Sequence, residues 1–225
     1  MHRSRHLQIA IVAAAVAAAS APPARAQIDL SAAAHASTLG FGVEASLLLT
    51  SHLGVRAMYN FMNYDFTVTN SGITYSPKIA YRNAPLLIDL YPSARGTFHL
   101  SGGIVFNQNT VTGPAQPDQS GDFTIDGQTY TAAEVGTLTV TLKYPSSGWY
   151  AGFGWGTPAG KSRIGFVCDI GAFFSTPTVS LTSPYSGSVP GLAASLQAQA
   201  DSTQATLKKY ASIYPVISLG FNVRF

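Results

Sequence analysis

The chain has 225 residues, of which 13 are Lys or Arg, 10 are Asp or Glu and one is Cys. A single cysteine excludes an intramolecular disulfide. Three of the arginines lie within the first 26 residues, so the rest of the chain is formally neutral and no nucleic-acid partner is expected.

The first 26 residues have the three parts of a secretory signal peptide. Two arginines precede an apolar run at 9–19, and the sequence ARA at 24–26 forms an A-x-A cleavage site. The apolar run is shorter than the roughly 20 residues that a transmembrane helix needs. We therefore expect an exported chain that is cleaved after Ala26, with 27–225 forming one domain.

Beyond residue 26, apolar residues alternate with small or polar ones, which predicts strands rather than helices. The connections after the second, fourth and sixth predicted strands are short, whereas 113–136 and 182–212 are long. Short turns at one end and long loops at the other are typical of outer-membrane barrels, in which the short turns are periplasmic. The eight expected strands are 27–35, 39–49, 53–67, 76–91, 98–112, 137–156, 163–181 and 212–225.

One helix is expected between the last two strands. Residues 191–210 carry loosely periodic Leu and Ala, and the alternation of turns places them outside the cell. Lys208 and Lys209 near the end of this segment have two interpretations. They would contact lipopolysaccharide phosphates, or they would simply stabilise the helix C-terminus.

The alternation gives each strand two different faces. In 39–49, for example, Phe41 and Val43 alternate with Gly42 and Glu44. The outer face of a soluble barrel is rich in charged residues, and the second face here is too small and too little charged for that role. We therefore expect the large apolar face to contact lipid and the small face to line the lumen.

Five segments carry a resemblance to the small eight-stranded bacterial outer-membrane β-barrels typified by the OmpA membrane domain and OmpX, within a broad proteobacterial outer-membrane barrel group. The resemblance implies an all-β fold: an eight-stranded antiparallel transmembrane β-barrel with short periplasmic turns, longer external loops and one short helix before the last strand. It implies a Gram-negative outer membrane but no single reaction, ligand or cofactor. The segments are LGFGVEASLLLTSHLGVRAMYNF (39–61), LLIDLYPSARGTFHLSGGIVFNQN (86–109), YTAAEVGTLTV (130–140), YAGFGWG (150–156) and YPVISLGFNVRF (214–225).

The chain ends on an amphipathic segment whose last residue is Phe225. A terminal aromatic residue after alternating apolar positions resembles the signal by which the outer-membrane assembly machinery recognises its clients. The expected partners are therefore this barrel assembly machinery, together with outer-membrane lipids and lipopolysaccharide.

The predicted lumen face carries charges in the periplasmic half of the strands. An isolated buried charge costs several kcal/mol, so these residues are expected to pair and to plug a barrel that side chains can just fill. The alternative is a gate, in which the pairs exchange partners and open a narrow path for ions or small polar solutes. The expected network is Glu44, Arg56, Asp89, His99, Asp169 and Arg224.

A His-x-Ser pattern at His99 and Ser101 is similar to the spacing in lipid A deacylases. That family has Asn-Ala where this chain has Gly102-Gly103, and the pattern lies at the periplasmic end of its predicted strand. We therefore expect no catalytic residue, and a lipid-modifying enzyme is the second functional alternative.

Metal binding is not expected either. His35, His52 and His99 are scattered along the chain, and Cys168 is predicted to face lipid. The sequence thus predicts a barrel without a metal or another cofactor.

Overall fold

The computed structural model describes residues 29–65, 68–70, 73–75, 77–94, 96–115, 117, 121–156, 163–210 and 212–225. The signal peptide predicted over 1–26 lies outside these residues.

The described residues form strands almost throughout, with two helices. In chain order they are β1 (Asp29–Ser37), β2 (Gly40–Thr50), β3 (Leu53–Asp65), β4 (Val68–Asn70), β5 (Ile73–Tyr75), β6 (Lys78–Leu90), β7 (Phe98–Asn107), β8 (Thr110–Pro114), β9 (Asp122–Ile125), β10 (Gln128–Thr131), α1 (Ala132–Val135), β11 (Thr139–Lys143), β12 (Ser147–Trp155), β13 (Ile164–Phe174), β14 (Thr178–Thr182), α2 (Leu192–Tyr210) and β15 (Ile213–Arg224).

Eight of these strands close into an antiparallel barrel. Their order around the wall is β1, β2, β3, β6, β7, β12, β13 and β15, and β15 pairs again with β1. Each coincides with one predicted strand, so the predicted fold and strand number are confirmed. We call the end that contains the turn at 51–52 the short-turn end, and the opposite end the long-loop end.

The two faces of the wall differ as the alternation predicts. Trp149 and Phe221 on the outside are 67% and 66% exposed, whereas Asn60 and Asp89 on the inside are 1% exposed. A water-soluble protein rarely exposes so many apolar side chains, whereas a surface in contact with lipid does. Cys168 pairs with the outward-facing Leu219 and therefore lies on the lipid side.

On one side, the sheet continues beyond the ring at the long-loop end. β8, β11 and β14 are added to β6 in that order, and we call this part the wall extension. Each continues a barrel strand after a break, at 108–109, 144–146 and 175–177. The sequence predicts unbroken strands here. Pro145 and Pro177 lie in two of the breaks, and proline has no backbone N–H to donate to a ladder.

A second core lies beyond the barrel at the long-loop end. It joins the β9–β10 hairpin, α1 and α2, and we call these elements the cap. The sequence predicts a loop over 113–136, so the cap is a correction. Two local signals were present: Asp126-Gly127, both at positive φ in a two-residue hairpin turn, and the capping box of Thr131 and Glu134. The buried residues are Phe123, Ile125, Tyr130, Val135, Leu138, Leu192 and Leu196.

The helix predicted at 191–210 is confirmed as α2. Its Gln204 side chain accepts a hydrogen bond from the Val179 N–H at 2.9 Å and donates one to the Pro177 carbonyl at 3.0 Å. The helix therefore covers an edge of β14 that would otherwise present unpaired backbone groups. No helix within the described ranges combines the length and the apolar character needed to cross a bilayer.

Candidate functional site in the lumen

Arg56 lies at the centre of a buried cluster in the lumen, in the half nearer the short-turn end. Its Nη1 and Nη2 donate hydrogen bonds to the two Asp169 carboxylate oxygens, each at 3.0 Å. Its Nε lies 2.7 Å from Asp89 Oδ2 and its Nη1 lies 3.5 Å from Glu44 Oε2, as ion pairs. One guanidinium therefore contacts carboxylates from three other strands.

His99 and Ser101 extend this cluster along β7. His99 Nε2 lies 2.8 Å from Asp169 Oδ1. The Ser101 hydroxyl accepts a hydrogen bond from Arg56 Nη2 at 2.8 Å and donates one to Asp89 Oδ1 at 2.7 Å. Besides their contacts with Arg56, Asp169 and Asp89 thus each have a hydrogen-bonding partner on β7.

The third carboxylate, Glu44, is supported from its own strand and from β1. The Ser46 hydroxyl donates to Glu44 Oε1 at 3.1 Å, and the Ser46 and Ser31 oxygens are 3.0 Å apart. The cluster therefore holds three carboxylates, one guanidinium and the His99 imidazole. Such a group is stable in a low-dielectric interior only while its hydrogen bonds and ion pairs are complete.

Glycine on the lumen face makes room for these side chains. Gly154 pairs with His99 on one side and with Asp169 on the other. A Cβ atom at Gly154 would lie 2.5 Å from Asp169 Oδ1 and 2.8 Å from His99 Nε2. Gly154 of the GFGWG stretch therefore allows the cluster to form.

Substituting Gly154 with alanine is expected to lower the free energy of unfolding by about 1–3 kcal/mol, the usual cost of overpacking. The added methyl group would push His99 away from Asp169. The denaturant midpoint of the barrel in lipid vesicles measures the effect. Gly187→Ala is the matched control, because a Cβ there meets nothing within 4 Å; equal midpoints for the two variants would contradict the steric argument.

Arg224 does not join the cluster, although its lumen-facing position predicts that it would. It occupies a lumen-facing position of β15 and is half-buried, but none of the ion pairs described for the cluster involves it. In register it pairs with Ser31, which pairs with Ser46, which pairs with Arg56. Two short side chains therefore lie between the two arginines along the wall.

The two His-x-Ser residues hydrogen-bond to different partners in this arrangement. His99 hydrogen-bonds to Asp169, whereas Ser101 hydrogen-bonds to Arg56 and Asp89. A nucleophilic serine needs the histidine within hydrogen-bonding distance as its base. The geometry instead integrates both residues into the charge cluster.

A second chain of polar side chains runs along the inner face of the wall, and it was not predicted. His35 Nε2 lies 2.6 Å from Asn60 Oδ1, Asn60 Nδ2 donates to Asn83 Oδ1 at 2.7 Å, and Asn83 Nδ2 lies 3.4 Å from Asn109 Oδ1. The lumen-facing positions of Asn60 and Asn83 were the sequence pattern from which this chain could have been predicted.

His52 is exposed in a turn. No metal-binding group of three or more His, Cys, Asp or Glu occurs within the described ranges.

An apolar layer follows the charge cluster toward the long-loop end. Val105 is 0% exposed and Phe173 is 1% exposed. A cavity of about 20 Å³ lies at the boundary between this layer and Arg56, which is room for about one water molecule. The layer consists of Leu39, Leu87, Val105, Tyr150, Phe173 and Val216.

Comparison with known proteins supports the architecture. The crystal structure of Acinetobacter baumannii CarO2 matches with a TM-score of 0.61 and 21% identity, covering 89% of this chain and 100% of that one. That of Acinetobacter baumannii CarO matches with a TM-score of 0.56 and 20% identity, covering 88% and 98%. No protein-family model matches the chain, and no curated protein matches it. The chain therefore has the fold of the small outer-membrane β-barrels, as its sequence predicts.

Proposed function

We propose that the protein is an integral outer-membrane barrel with a closed lumen, and that it has a structural or surface-interaction role rather than an enzymatic one. The observation that carries this proposal is the layered lumen. A hydrogen-bonded charge cluster is followed by an apolar layer, with a cavity of about 20 Å³ between them. An eight-stranded barrel is just wide enough for side chains to fill it.

In this proposal the charge cluster fixes the register of the barrel. Its members come from β2, β3, β6, β7 and β13, and a slip of one residue would turn any of them toward lipid. A buried ionic network adds little net stability, but losing one partner is costly. The cluster would thus disfavour misregistered barrels more than it strengthens the native one.

The long-loop end would face the outside of the cell, in the orientation usual for such barrels. The cap then forms a folded platform at the cell surface, and rigidly supported surface loops are common sites of binding. At the other end, Phe225 is 79% exposed, and its strand is the proposed recognition element for the barrel assembly machinery.

A narrow channel is the alternative function, and the charge balance of the lumen would set its ion selectivity. Three carboxylates surround a single guanidinium, so an opened lumen would attract cations over anions. A lipid-modifying activity has less support, since His99 and Ser101 hydrogen-bond to different partners.

Conductance across a planar bilayer tests the proposal. The native protein is expected to show no steady conductance, whereas Tyr150→Ala/Phe173→Ala removes two aromatic rings from the apolar layer and should conduct. Trp149→Ala/Phe174→Ala is the matched control, because these neighbours pair on the outer face of the same two strands.

Steady conductance by the native protein would overturn the closed lumen. A cation-selective current that falls in Glu44→Gln would establish the channel instead. Heat-dependent gel mobility checks that the Tyr150→Ala/Phe173→Ala variant is folded. If the folded variant shows no conductance, the apolar layer is not the barrier to ions.

A further inference from the structure

Three exposed cations cluster on the outward face of the wall extension and the adjoining part of β6. Lys78 and Arg82 lie on β6, two residues to either side of Ala80. Ala80 pairs with Thr110 of β8, and Thr110 pairs with Lys143 of β11. The register therefore places the three positive side chains around Thr110, and we call these four residues the cationic patch.

The patch begins at the long-loop edge of the lipid-facing belt, the band of exposed apolar side chains on the outer face of the barrel. Arg82 pairs with Phe61, and Ala84, two residues away, pairs with Phe106. These two aromatic rings are 51% and 54% exposed. A strand advances about 6.6 Å over two residues, so Thr110 and Lys143 lie one such step beyond Arg82, on the long-loop side of these aromatic rings.

The surroundings of the patch suit an anionic, hydroxyl-rich ligand. Outward positions of the wall extension carry hydroxyl groups, which donate and accept hydrogen bonds, while the opposite face of the same strands is apolar. The outward hydroxyl residues are Thr110, Thr112, Thr139, Thr141, Thr178, Ser180 and Thr182.

The charge of the patch is only partly offset. Asp65 pairs with Lys78 across β3 and β6 and reduces the local charge there. Arg82 pairs with Phe61, and Lys143 pairs with Thr110 and Thr178, so neither has an acid directly opposite. The balance remains positive.

We propose that the cationic patch binds the phosphate groups of outer-leaflet glycolipid, the lipid A part of lipopolysaccharide. Arg and Lys form strong charge-assisted hydrogen bonds with phosphate, and the continuity of the patch with the lipid-facing belt selects a lipid over a soluble anion. The inference rests on the proposed orientation of the barrel but not on a closed lumen.

The test is lipid A binding to the full chain in phosphatidylcholine nanodiscs. Arg82→Gln/Lys143→Gln removes one arginine and one lysine from the patch. Arg163→Gln/Arg224→Gln is the control, because it removes two cations from the short-turn end of the barrel, where Arg224 N–H donates to the Arg163 carbonyl at 2.9 Å. A cation near a charged membrane surface contributes about 5-fold in affinity, so the patch variant should bind bisphosphorylated lipid A about 25-fold more weakly. The control should bind as the native protein does.

Native affinity in the patch variant would overturn the proposal, as would equal binding of dephosphorylated lipid A. An equal loss in the control variant would show a general charge effect instead of a site. Competition by inorganic phosphate would indicate a free-anion site. Cleavage of the cap by protease added to intact cells tests the orientation separately, and conductance tests the closed lumen, so the three failures are distinguishable.

Discussion

Replacing Arg56 with glutamine is expected to lower the free energy of unfolding of the barrel by about 3–5 kcal/mol, the cost of removing one partner from a buried ionic group. Arg56 is 3% exposed, and Glu44, Asp89 and Asp169 all lie within 3.5 Å of its guanidinium. Without Arg56, the three carboxylates would remain close together in the lumen and would lose the cation with which all three form ion pairs.

Urea unfolding in lipid vesicles measures this loss, with heat-dependent gel mobility as the check that a barrel has formed. Arg224→Gln is the matched control, because it removes an arginine from the lumen side of the same barrel but outside the cluster. Equal midpoints for the two variants would contradict a central role for Arg56.

Leu192→Ala is expected to destabilise the cap by about 2–5 kcal/mol, the range for removing a buried leucine side chain, while leaving the barrel folded. Leu192 is 0% exposed and packs with Phe123, Ile125 and Val135. The lumen layer belongs to a separate group of buried residues, so the two regions should respond independently.

Hydrogen exchange resolved by segment checks this expectation. Exchange should accelerate over 121–138 and 192–210, and the barrel strands should keep their native protection. Leu207→Ala is the matched control, because Leu207 lies on the same helix, is half-buried and is outside the cap core. Equal acceleration in the barrel strands would show that cap and barrel unfold as one unit.

The closed barrel could be predicted from sequence because each membrane strand has one face in contact with lipid and the other face lining the lumen. Phe41 and Val43 on one side, and Gly42 and Glu44 on the other, differ enough to identify both faces. This alternation is a local property with a period of two residues, so it indicates the strands, their faces and the short and long connections without knowledge of any partner.

The cap could not be predicted in the same way, since its core is assembled from distant segments. Its strands have only four residues each. The Tyr130 hydroxyl lies 2.9 Å from that of Ser195, 65 residues later in the chain. The Asp126-Gly127 turn and the capping box indicated local order, but neither pattern reveals that α2 covers the hairpin.

The sequence by itself determined the fold and the set of charges that turn inward, because both follow from alternation along single strands. Only the tertiary structure decided which charges meet. Arg56 and Asp169 are 113 residues apart, and their contact depends on the register accumulated around the closed wall. The same register leaves Arg224 beside Ser31, so an inward-facing arginine remains outside the cluster that its sequence position suggested.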